Sequence, residues 1–76
     1  MIVLEPRETF DVALVGVMWD DGREVAVYDE DQIIQQLMLV DGMDEDVAIE
    51  HFEYNIQGSI FEGCPRYIKT DLSEVL

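Results

Sequence analysis

Residues 28–58, YDEDQIIQQLMLVDGMDEDVAIEHFEYNIQG, decide the fold. Ile33, Ile34, Leu37 and Val40 recur at helical spacing and gather on one face, with Asp31, Gln32, Gln35 and Gln36 opposite. Asp29 stands where an N-cap belongs, with Gln32 at capping-box spacing, and Glu30 and Asp31 favour the positive end of the helix dipole. Gly42 fits the left-handed residue that ends such a helix. A second helix follows, capped by Asp44, with Glu45 and Asp46 in its first turn. Its core face is Ala48, Ile49, Phe52 and Ile56, and Gly58 closes it. Asp46, Glu50, Glu53 and Gln57 form an opposed polar stripe, and Val47, His51 and Tyr54 make a half-apolar row between the two.

Outward from this stretch the signals are shorter. Val25 to Tyr28 reads as a strand, and Asp20-Asp21-Gly22 before it reads as a hairpin turn. Thr9 to Trp19 carries two patterns. Phe10, Ala13, Leu14 and Val17 fall at helical spacing, whereas the β-branched Val12, Val15 and Val17 next to a turn favour the first arm of a hairpin. Met1 to Leu4 is an edge strand or a docking terminus, stopped by Glu5-Pro6. Pro65 to Lys69 alternates as a strand whose proline belongs at its start or on a sheet edge. Thr70 to Leu76 has no strong period. The expectation is one α+β domain spanning residues 1–76, with two to three helices packed on a short two- or three-stranded sheet.

Composition narrows the function classes. Half of the 76 residues are apolar, too many for a disordered acidic tail. Eighteen acids against four bases give a net charge of −14. Arg7, Arg23, Arg66 and Lys69 are too few and scattered for a phosphate-binding patch, so direct nucleic-acid binding and an anionic membrane surface are both disfavoured. With a lone cysteine, no signal-like start and no long apolar run, a reducing host cytoplasm is the expected location.

The order of motifs resembles a group of short proteins encoded by tailed bacteriophages and related mobile elements, largely of unknown function. The likeness lies in A-L-V-G (Ala13 to Gly16), V-x-V-Y-D (Val25 to Asp29), D-G-M (Asp41 to Met43) and A-x-E-x-F-E-Y-N-I-x-G (Ala48 to Gly58), then Gly63, Pro65 and Tyr67. It covers residues 10 to 68, with F-E-Y-N-I its most specific part. The resemblance implies a phage or mobile-element origin and a helix over the A-L-V-G segment. This chain departs from the group at Met18 to Gly22, where the relatives tend to be basic, and that departure favours the hairpin.

No residue set points to catalysis, a cofactor or a metal. His51 and Cys64 are the only soft-ligand pair, and structural zinc wants four clustered ligands. Cys64 beside Pro65 reads as a buried free thiol at a turn rather than a nucleophile. The Asp29/Asp31 and Asp44/Asp46 pairs lack the glycine and bidentate glutamate of a calcium loop, and capping already explains them. The expectation is therefore a non-enzyme that binds by its surface. Between Arg23 and Arg66 eleven acids occur and no base, so a host protein with a basic surface is the expected partner, a defence or nucleic-acid enzyme that a DNA-like array of charge would inhibit. The residues expected to meet it are Trp19, Leu39, Asp46, Glu50, His51, Glu53 and Tyr54. Self-association through leftover apolar residues such as Leu39 is the alternative, with the charge serving only solubility. Each side chain also has an ordinary explanation: an exposed leucine is common, and acidic helix faces are often merely solvated.

Overall fold

The computed structural model describes residues 1–69. A four-residue helix α1 (Arg7–Phe10) runs into a 3-10 turn over Asp11–Ala13, then into the hairpin strands β1 (Leu14–Asp20) and β2 (Arg23–Asp29). Helices α2 (Glu30–Val40) and α3 (Glu45–His51) follow, α3 continuing as a π-helical segment over Phe52–Gln57 before the short strand β3 (Arg66–Ile68). The sheet order is β1-β2-β3, an α+β arrangement as expected. β1 pairs antiparallel with β2, whereas β3 pairs parallel to β2, with Tyr67 opposite Tyr28. A parallel neighbour needs a crossover, and α2 and α3 provide it.

The hairpin settles the two-way reading of residues 9–19, and both patterns prove partly true. Phe10 and Ala13 are buried from the helical part, while the chain is extended from Leu14 onward. The helix implied by resemblance over Ala13 to Gly16 is therefore corrected: only Ala13 belongs to a helical turn. The physical reason lies downstream. Asp21 (φ 53°) and Gly22 (φ 80°) make a two-residue turn with both φ positive, whose twist matches paired strands, and the β-branched valines suit the extended arm. An irregularity between Leu14 and Gly16 leaves Val15 as the extra residue of a bulge.

The core forms where the helices cover one face of this sheet. Ala26 and Tyr28 from β2 meet Ile33 and Leu37 of α2 and Ala48 and Phe52 of the second helical arm. Tyr67 joins them edge-on to Phe52 (ring centroids 5.2 Å apart) and stacked on Tyr28 (6.2 Å), so three aromatic rings tie β2, β3 and the helical layer together. Burial, with smaller contributions from Cys64 and Tyr28, pushes the Tyr67 phenol up to about 12. The Tyr28 hydroxyl accepts a hydrogen bond from the Leu4 amide at 2.9 Å. Met1 to Leu4 is thus a docking terminus and not a strand, with Val3 and Leu4 packed against the core.

Helix ends follow the local chemistry, with three corrections. Asp29 caps α2 through its side chain, accepting from the Asp31 amide at 3.0 Å. Gly42 has φ 69°, and the Asp41 and Met43 amides return to the Leu37 carbonyl. Val40, expected in the core, is 58% exposed, because the helix stops there and its last fully buried residue is Leu37. Asp44 stands at the N-cap of α3, yet its side chain makes no capping bond. Gly58 ends the second arm in a right-handed conformation (φ −71°), so positive φ is not its reason. A Cβ there would lie 2.8 Å from the carbonyl oxygens of Glu53 and Tyr54, too close for any side chain.

Candidate partner-binding surface

Five of the residues singled out from sequence come together on α3 and its π-helical extension. Asp46, Glu50, Glu53 and Tyr54 are exposed and His51 is half-buried. Val47, Glu50, His51, Tyr54 and Asn55 line a shallow depression, with Tyr54 73% exposed at its side. The i→i+5 bonding of the extension widens the last turn, which shifts Glu53 and Tyr54 from where a regular α-helix would put them. A side-chain ladder braces this turn. The Asn55 amide lies 3.2 Å from His51 Nδ1, and Ser59 Oγ donates to the Asn55 carbonyl at 2.8 Å.

The electrostatics of this face follow from where the cations go. Arg7 pairs with Asp11, Arg23 with Glu62, Arg66 with Asp20 and Lys69 with Glu30. All four bases of the chain are thereby engaged elsewhere, and Glu45, Asp46, Glu50 and Glu53 have no ion pair among the described residues. Glu45 and Asp46 still gain from the N-terminal end of the α3 dipole. Glu50 and Glu53 lie past that first turn, where the dipole gives a carboxylate nothing and Asp46 repels it.

Trp19 and Leu39 do not join this cluster. Leu39 is 76% exposed on α2. Trp19 is 70% exposed near the tip of β1, directly opposite Glu24 of β2, on the rim of a groove that also involves Met1, Ile2 and Gly63. Glu24 was missed as a site residue from sequence. A two-residue turn at Asp21-Gly22 sets Trp19 against Glu24 by counting alone, so the signal was available once the hairpin was accepted. The docked N-terminus could not be found that way, because it depends on a long-range bond to Tyr28.

Cys64 is a buried free thiol in a turn closed by its own amide to the Phe61 carbonyl. Among the described residues no group of three or more His, Cys, Asp or Glu could hold a metal ion. No helix among them is long and apolar enough to cross a membrane. These features define a small α+β domain with a mixed three-stranded sheet and one uncompensated acidic helix face. Comparison with known proteins adds no relative: no family profile, curated protein or solved structure matches the chain.

Proposed function

We propose that this protein acts without catalysis, by stoichiometric binding of its acidic α3 face to a basic surface on another protein. The observation that carries the reading is the placement of Glu50 and Glu53. Both are exposed beyond the first turn of α3, without a counter-ion among the described residues, beside the exposed apolar surface of Val47 and Tyr54. Carboxylates that repel one another on a bare helix face are a cost to the fold, and an incoming cationic surface converts that cost into attraction. Tyr54 would supply the buried aromatic contact and the carboxylates the approach rate and register. In the phage setting that the resemblance implies, the partner would be a host enzyme whose basic surface otherwise receives nucleic acid, and binding there would inhibit it.

The test compares capture of host proteins by the wild-type chain and by a Glu50→Lys, Glu53→Lys double variant at low and high salt. The reading expects a partner retained at low salt, released by high salt and absent with the variant. The same partner held equally by both chains refutes it. A second reading, self-association, is favoured by the exposure of Leu39 and its neighbour Val40. Sedimentation distinguishes the two: that reading requires a defined oligomer that Leu39→Glu disperses.

A further inference from the structure

We infer that the free edge of β1 is a docking strand for an extended cationic segment of the partner, added as a fourth strand to the sheet. This rests on the proposed basic partner and names the element by which it would be held. β1 is an outer strand of the sheet. In a two-residue hairpin the pair flanking the turn, Asp20 and Arg23, exchanges hydrogen bonds, and alternation then points the N–H and C=O groups of Val17 and Trp19 outward. None of these outward groups bonds another described residue. Proteins commonly blunt such an edge with lysine, proline or charge. Here Leu14 to Trp19 has no lysine, proline or charge, and the protection of β1 is confined to its ends, the bulge at Val15 and Asp20, whose carboxylate pairs with Arg66. The bulge at Val15 limits pairing to Gly16 through Asp20.

Charge decides which occupant the edge suits. Val17 lies opposite Ala26 and Trp19 opposite Glu24, so the four side chains share one face of the sheet. Glu24 is exposed and has no ion pair among the described residues, and Arg23 beside it is engaged by Glu62. A lysine or arginine on an added strand, opposite Trp19, would meet the indole face and the Glu24 carboxylate together. Asp21, exposed in the turn, adds to the same field. A second copy of the chain would bring −14 against −14 and offers no base to this position from its own β1. An extended segment alternating cationic and apolar residues matches both the hydrogen-bonding edge and the charge.

The test uses two short capped peptides of alternating lysine and valine with equal charge. One is N-methylated on its valines and the other on its lysines. In the inferred register the lysine amides bond Val17 and Trp19, so the first peptide keeps the required donors and the second has lost them. The valine-methylated peptide should slow amide exchange at Val17 and Trp19. The lysine-methylated one should bind roughly tenfold or more weakly, as expected for losing these bonds. Trp19→Ala and Glu24→Gln, both at exposed positions, should each weaken the first peptide while the free chain keeps its folded circular dichroism spectrum at the temperature of the binding assay. Equal binding of the two peptides, perturbation confined to Glu50 and Glu53, or a dimer of the free chain with protected β1 amides overturns the inference. Such a result leaves the α3 reading standing if charge reversal at Glu50 and Glu53 still abolishes capture. Loss of that capture effect with a positive peptide result would instead refute the α3 face alone.

Discussion

Replacing Glu50 by lysine should make the protein more stable while weakening the proposed binding to a basic partner. Glu50 stands four residues after Asp46 and three before Glu53 on the exposed side of the second helical arm. Like charges at these spacings cost about 0.2–0.5 kcal/mol each, and opposite charges gain a similar amount. Reversal at the middle position changes both pairs from repulsive to attractive, a swing of about 0.4–1 kcal/mol per pair. The wider π turn displaces Glu53, so the lower end applies and the sum is about 1 kcal/mol. In a domain of this size that raises Tm by about 4–8 °C. The assay is thermal unfolding at low ionic strength, repeated at high salt, where exposed charges more than about 10 Å apart are already screened at 0.1 M and nearer ones progressively so. A Tm at or below that of the wild type in low salt, or a gain indifferent to salt, would refute the claim that this face is held in self-repulsion. The reasoning from uncompensated carboxylates to a binding surface would fall with it.

Leu37→Ala removes a fully buried side chain between α2 and the rest of the core and should cost about 2–5 kcal/mol, comparable to the whole stability of so small a domain. Circular dichroism and one-dimensional NMR should find it largely unfolded at room temperature. Tyr28→Phe keeps the ring packing but takes the acceptor from the Leu4 amide, for a loss of about 1 kcal/mol and faster exchange at Leu4. Tyr67 has a phenol raised from 10.0 to about 12, so its ionisation is harder in the folded chain than in the unfolded one. The stability this contributes is complete below pH 10 and declines as pH climbs toward 12; in Tyr67→Phe, alkaline denaturation curves should lack that component.

Local chemistry made the helical layer legible. The cap at Asp29, the glycine at 42 and the apolar spacing of Ile33, Leu37, Ala48 and Phe52 are each satisfied within a few residues, and all hold in the structure. The acidic face of α3 was legible for the same reason, since charge at helical spacing is a local property. Val40 was misplaced because periodicity says which way a residue points and not whether anything lies there to cover it. The π-helical turn was not foreseen either. Its i→i+5 bonding has no propensity signature comparable to that of an α-helix, and the Asn55 and Ser59 contacts that brace it appear only once the turn has formed.

By itself, then, the order of residues determined two helices, one of them with its cap at Asp29, a strand containing Val25 to Tyr28 and an acidic stripe along α3. Tertiary structure decided the rest. Residues 9–19 had helical and extended patterns of similar strength, and the turn at Asp21-Gly22 resolved them only because β2 was there to receive the first arm. The parallel seat of β3, the stacking of Tyr67 on Tyr28 and the anchoring of Leu4 all join residues far apart in the chain. The engagement of every base away from α3 is likewise a long-range outcome, apart from the local Arg7–Asp11 pair. Short-range preferences cannot encode which distant carboxylate an arginine reaches, so the uncompensated face exists only in the folded protein.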